Sequence, residues 1–210
     1  MEQEQLEKLR ALIEENKGKR KFKQSVELAV NFKGIDFSKQ ENKLNLQVLL
    51  PNGKGKQSEV LVFADDSNIS AKAKALGVRV VSGSEIQGIA SDKAQLNALL
   101  NYEMIAQPSL MTSVARSMGS FLGPKNKMPK PLIGTDVESM INSVSKSVYL
   151  RSKGKYLPTV HCMVGKEDMP LEKISANIDE VINSLAKKLG KQNIKSAYVK
   201  LTMSPPVKIL

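Results

Sequence analysis

Apolar residues along this chain follow two different periods, and the change between them limits the folds open to it. Near the start, Val26, Leu28, Val30 and Phe32 alternate with Ser25, Glu27 and Asn31, as in a strand buried on one face only. Near the end, Thr159, His161 and Met163 alternate with Val160, Cys162 and Val164. Further on, Ser196, Tyr198, Lys200 and Thr202 share one face of a strand, with Ala197, Val199, Leu201 and Met203 on the other. Between these segments, residues 59–64 read EVLVFA, a near-continuous apolar run suited to a strand covered on both faces.

The elements around each kind of strand extend the contrast. After EVLVFA come a capped helix with a glycine stop (SNISAKAKALG) and a short strand, VRVV. A helix over 92–100, a strand over 102–106 and helices over 110–118 and 136–146 complete a β/α alternation. That order predicts a parallel sheet with right-handed crossovers. Toward the N-terminus, Leu6, Leu9, Leu12 and Ile13 define an amphipathic helix closed by Gly18, and a second strand over 44–50 stops at Pro51. Toward the C-terminus, Ile174, Ile178, Val181, Ile182, Leu185 and Leu189 trace one helix face between Pro170 and Gly190. The simplest architecture is a split α+β domain made from both termini, residues 1–57 and 153–210. A doubly wound, Rossmann-like α/β domain, 58–152, is then inserted into it through two linkers. Paired linkers at 53–56 and 152–155 read as a hinge.

Charge narrows the partners. With 32 Lys+Arg against 21 Asp+Glu the net charge is +11, and a field of that sign attracts polyanions. The basic residues are spread along the sequence, so the charge belongs to folded surface. No apolar run is long enough to span a bilayer, and the N-terminal MEQEQLEKLR is acidic where a secretory signal would be basic. The expectation is a cytoplasmic protein with no membrane partner. One cysteine, Cys162, beside one histidine, His161, gives neither a disulfide nor a four-ligand zinc site. With no Trp, four Tyr and five Phe, stacking platforms for loose single strands are scarce. Folded RNA, met through shape, phosphates and 2′-hydroxyls, fits better.

A catalytic reading finds little to stand on. The turn after EVLVFA is DDSN, with no glycine-rich loop, and its carboxylates would repel phosphate at a helix N-terminus. No Cys–His or Ser–His–acid set and no metal cluster is available, so neither a catalytic residue nor a cofactor is expected. A nucleotide-dependent enzyme built on the central domain and a general DNA-binding protein remain the alternatives. Residues 119–131, GSFLGPKNKMPKP, hold three prolines, and neither helix nor central strand should pass through them. They read as a rigid loop with a positive surface from Lys125, Lys127 and Lys130, although an ordinary solvated connection would have the same composition.

Gly119, Leu122, Gly123 and Pro124, followed by Met128, Pro129 and Pro131, resemble the signature of the L-one family of large-subunit ribosomal proteins. The likeness runs over nearly the whole chain, and short connections and a short N-terminus favour the archaeal type. It implies a two-domain protein, monomeric when free, whose end domain binds the stalk of large-subunit rRNA. It also implies assistance to release of exit-site tRNA and repression of its own mRNA. Carried over residue by residue, Phe22 in KRKFKQSVE packs on ribose or backbone, Lys21 and Lys23 meet phosphate, and Glu27 accepts from a base or 2′-hydroxyl. His161, Gly165 and Lys166 lie near the RNA, and the strand face itself adds Ser196 and Tyr198, a row of hydroxyls beside Lys200 able to meet 2′-hydroxyls and phosphates. Thr202 and Met203 match a family Thr-Met-Gly triplet in which Ser204 replaces the glycine. The signature loop, with Lys125 and Lys127, would make secondary RNA or interdomain contacts.

Overall fold

In the computed structural model, which describes residues 2–37, 39, 42–55, 58–134, 136–152 and 158–210, the chain begins with α1 (Gln3–Asn16), β1 (Ser25–Phe32) and β2 (Asn45–Leu49). The middle holds β3 (Val60–Phe63), α2 (Ser67–Ala75), β4 (Arg79–Val81), α3 (Ile86–Ser91), α4 (Lys93–Leu99), β5 (Glu103–Ala106), α5 (Pro108–Leu122), β6 (Lys130–Pro131) and α6 (Val137–Lys146). The chain ends with β7 (Ser147–Arg151), β8 (Thr159–Lys166), α7 (Leu171–Leu189), β9 (Ile194–Leu201) and β10 (Val207–Lys208). It divides into a unit from both termini, Met1–Lys56 with Lys146–Leu210, and a central unit, Gln57–Ser145.

In the terminal unit the alternating segments form one sheet in the order β10-β9-β1-β8, and every pairing in it is antiparallel. Val26, Leu28, Val30 and Phe32 of β1 join Val160 and Val164 of β8 and Ala197, Val199 and Leu201 of β9 in a single core. Leu9, Leu12 and Ile13 of α1 and Ile174, Ile178, Val181 and Leu185 of α7 fill the same core. Each of the four α7 side chains is 0% exposed, and full burial of such a side chain contributes about 1.5–3 kcal/mol.

The boundary differs from the sequence expectation. Residues 147–151 were expected in the inserted domain, yet β7 pairs antiparallel with β2, from Asn45↔Arg151 to Leu49↔Ser147, and Val148 and Leu150 enter the terminal core. Two apolar strand ends that leave a core side by side satisfy their backbone bonds best by pairing with each other. Of the expected hinge, residues 53–55 and Ser152 are described. Lys56 and residues 153–155 lie outside the described residues, whereas Gly53 is anchored: the buried Asn177 of α7 donates to the Gly53 carbonyl at 2.8 Å and accepts from the Asn52 N–H at 3.1 Å.

The central unit has a parallel sheet in the order β4-β3-β5-β6. One face packs against α3, α4 and α5 through Ile86, Leu96, Val114 and Met118, the other against α2 and α6 through Ala73, Val137 and Val144. This is the expected doubly wound arrangement. The basic loop is shorter than expected: the helix expected over 110–118 runs from Pro108 to Leu122, and Lys130–Pro131 pair with β5 as an edge strand. Glycine at 119 is tolerated in a helix that buries Leu122 completely, and an edge position is where a strand admits proline.

Candidate RNA-binding face

The second face of the terminal sheet carries the polar half of each alternating strand. Register places Ala29 of β1 between His161 and Tyr198, Glu27 between Met163 and Lys200, and Asn31 between Thr159 and Ser196. Among the described residues no helix packs on this side, because the buried side chains of α1 and α7 belong to the opposite core. The row at Asn31 is a hydrogen-bonded chain across three strands. The Thr159 hydroxyl donates to the Asn31 amide oxygen at 2.7 Å, and the Asn31 amide donates to the Ser196 hydroxyl at 3.1 Å. His161 is exposed, while Glu27 and Tyr198 are half-buried. A row of hydroxyls, amides and one carboxylate can donate to and accept from sugar hydroxyls and base edges.

At one end of this face the start of β1 and the end of β9 are joined by short polar contacts. The Ser25 N–H donates to the Thr202 hydroxyl at 3.1 Å, and the Thr202 N–H donates back to the Ser25 carbonyl at 3.1 Å. Thr202, expected on the strand, lies in the turn just after it. Its side chain holds two strand ends together. Next to it Met203 is 56% exposed, and Phe22, on the segment entering β1, is 51% exposed. Two large apolar side chains in the open at paired strand ends, with Lys21 exposed beside Phe22, form a mixed apolar and cationic surface that suits ribose edges and phosphate.

Ser204, at the position of the family glycine, faces inward. Its hydroxyl accepts from the Leu201 N–H at 2.8 Å and donates to the Pro205 carbonyl at 3.0 Å. The residue is 8% exposed. Serine therefore replaces the flexibility of glycine with a bond that closes the turn.

Lys23 forms an ion pair with Asp168 at 2.5 Å. Its hydrogen bond to that carboxylate, and the charge behind it, hold the Lys23 amine above the usual lysine range and the Asp168 carboxyl below the usual carboxylate range. Both groups are largely exposed, so solvent screens the pair. Gly165 is buried for a packing reason: a Cβ there would stand 3.1 Å from Ile174 and 3.2 Å from Met169. Lys166, paired with Ser25 across the strands, is half-buried at the same end.

The signature loop sits on the central unit, where part of its charge is used internally. Lys127 donates to the Glu103 carboxylate at 3.2 Å and to the Tyr102 carbonyl at 3.3 Å. The Lys125 amine stands 3.6 Å above the Phe121 ring. Gly123 caps α5, Pro124 and Met128 are exposed, and Pro129 is buried. The expected positive surface is thus smaller than three free lysines would give.

The crevice at the carboxyl ends of β3 and β5, where a doubly wound sheet takes nucleotides, is bridged by the chain itself. Gln107 accepts from the N–H groups of Asp65 and Asp66, the Asp65 carboxylate accepts from the Gly83 N–H at 2.6 Å, and Asp66 caps α2. A Cβ at Gly83 would lie 2.7 Å from that carboxylate. The backbone N–H groups of Asp65, Asp66 and Gly83 are therefore already occupied. Among the described residues no group of His, Cys, Asp and Glu could hold a metal ion, and no helix is long and apolar enough to cross a membrane.

Sequence reasoning did not single out Gln24, Asn177 or Glu167. Gln24 and Asn177 are 2% and 0% exposed, and each contacts residues more than a hundred positions away in sequence. No spacing rule points to such a residue.

Comparison with known proteins agrees with the fold. Residues 12–205 match the model of the ribosomal protein L1p/L10e family. The large ribosomal subunit protein uL1 of Thermococcus kodakarensis is 40% identical over 196 residues, 90% of this chain and 89% of the relative. Those of Thermoplasma acidophilum and Pyrococcus abyssi are 40% and 41% identical, over 94% and 90% of this chain and 92% and 88% of their own lengths. With the match spanning both units, the chain belongs to the ribosomal protein L1p/L10e family.

Proposed function

We propose that this chain is a structural, non-enzymatic constituent of the large ribosomal subunit, acting in the cytoplasm, and that its terminal unit binds a folded stalk of large-subunit rRNA. The relatives are named for that subunit. The observation that carries the reading is the uncovered polar face of the terminal sheet, ending at exposed Phe22 and Met203, on a chain of net charge +11. Glu27, His161 and Tyr198 meet sugar hydroxyls and base edges, with Ser196, only 6% exposed, holding Asn31 in the row behind them; Phe22 and Met203 pack on ribose, and Lys21 and Lys166 meet phosphate. Lys23 exchanges Asp168 for a phosphate. Binding is monomeric and needs no cofactor.

The finer roles extend the same reading. The signature loop of the central unit touches exit-site tRNA or rRNA and assists release of deacylated tRNA, and the terminal face binds a similar fold in the protein's own mRNA to repress translation.

The deciding experiment compares binding to a stalk fragment of large-subunit rRNA, to unrelated RNA and to duplex DNA over a salt series. RNA-specific binding that persists at moderate salt is the expected result, because hydroxyl and shape contacts release few counterions. Equal, weak binding to all three polyanions that vanishes with salt overturns it.

A further inference from the structure

We infer that Gln24 is the positioning residue of the RNA-binding end: a buried amide that fixes the Met203 turn relative to β1 without touching RNA. This inference rests on the rRNA-binding reading above. Gln24 is 2% exposed, and its amide contacts three other parts of the terminal unit. Its Oε1 accepts from the Met203 N–H at 3.1 Å, and its Nε2 donates to the Asn16 carbonyl at the end of α1 at 3.1 Å and to the Glu167 carboxylate at 3.3 Å. Its backbone carbonyl accepts from the Glu167 N–H at 3.1 Å. The neutral amide is the one group of this size that accepts on one side and donates twice on the other.

The arrangement matters because of where Met203 sits. Thr202 and Met203 follow the last residue of β9, where ladder bonds no longer hold the chain. Ser25 fixes Thr202, and Gln24 fixes Met203. Asn16, Lys19, Arg20, Gln24 and Met203 line a cleft of about 340 Å³, with the Gln24 amide buried and Met203 largely exposed. A turn already held in one geometry adds no ordering cost when RNA arrives.

Asn177 is the built-in control. It is an equally buried amide with three partners, Asn52, Gly53 and Val164, in the same unit, and none of them belongs to the proposed RNA-binding end. A merely structural role for Gln24 makes Gln24→Ala and Asn177→Ala behave alike. The positioning role makes Gln24→Ala lower affinity for the stalk RNA about tenfold without changing the salt slope, while folded Asn177→Ala stays within about twofold of the unaltered protein. Hydrogen exchange in the free protein gives a readout that does not depend on RNA. The Met203 amide should exchange at least about tenfold faster in Gln24→Ala, with Val199 in the core unchanged.

Where Gln24→Ala fails to fold, the exchanged pair Gln24→Glu with Glu167→Gln keeps an acceptor for Met203 and reverses donor and acceptor at position 167, while giving up the donor to the Asn16 carbonyl. Affinity within about threefold of the unaltered protein supports the inference, and a folded exchanged pair whose Met203 amide stays protected but which has lost RNA binding overturns it. Unchanged Met203 protection in Gln24→Ala, or equal affinity losses in the two alanine variants, also overturns it. If the unaltered protein shows no preference for stalk RNA, the functional reading falls, and the Met203 exchange rate still decides whether Gln24 holds the turn.

Discussion

The two units leave their sheets in opposite conditions. The central sheet is parallel and covered by helices on both faces, and the crevice at its strand ends is bridged by its own Asp65 and Gln107. The terminal sheet is antiparallel, and its helices fill one face only. A covered sheet has nothing to offer a large ligand except its loops. An uncovered one presents side chains at fixed spacing, held by backbone bonds that binding need not disturb. The difference supports the proposed placement of the RNA surface on the terminal unit and gives the nucleotide-binding alternative no support beyond a likeness of fold.

Four measurements would break or sharpen this contrast. The largest effect is expected in the terminal core: Ile178→Ala, at a fully buried position of α7, should cost about 2–5 kcal/mol in chemical denaturation. The loss belongs to the unfolding of the terminal unit. A loss below about 1 kcal/mol would mean that this core tolerates a cavity and is not the rigid support described.

Next comes binding. Phe22→Ala should weaken stalk-RNA binding by about tenfold or more, as removal of an exposed aromatic anchor does, whereas Lys125→Ala on the central loop should change it by less than about threefold, as a solvated charge does. The reverse order in a titration would move the principal surface to the central unit.

Asp168→Asn is predicted to strengthen RNA binding about two- to threefold and to steepen the salt slope by up to about one, by freeing Lys23 for a phosphate. A weaker complex would show that the ion pair holds Lys23 in the productive place.

The smallest effect concerns Cys162, half-hidden on the core side of β8, whose thiol burial pushes up to about 12. An acid whose pKa is raised by folding stays neutral, so its contribution to stability is complete below the unfolded thiol value. That contribution is lost only as pH climbs from there toward 12. At pH near 8 the folded protein should therefore resist alkylation, reacting at the rate of unfolding. Rapid alkylation of the native protein would show that β8 opens locally.

Much of the architecture was legible before any coordinates. The alternation in β1, β8 and β9 predicted which side chains face the core, and the apolar run at β3 predicted a strand covered on both faces. Errors collected where local chemistry was outvoted. Gly119 looked like the end of a helix, yet α5 continues because Leu122 gains a fully buried position. Prolines at 129 and 131 looked like loop residues, yet Lys130–Pro131 pair at the sheet edge. The β7 segment was assigned to the wrong unit because strand pairing between residues a hundred positions apart leaves no local mark.

The sequence by itself determined the class of each strand, the one-sided helix faces, the sign of the charge and the family likeness, because side-chain period and composition act within a few residues. Only the tertiary structure decided that Thr202 and Gln24 serve as ties between strand ends. It also decided that Ser204 turns inward and that Lys23 and Lys127 already have carboxylate partners. The physical reason is that a hydrogen bond or ion pair is fixed by where two distant segments meet, and that meeting is set by the packing of the whole core.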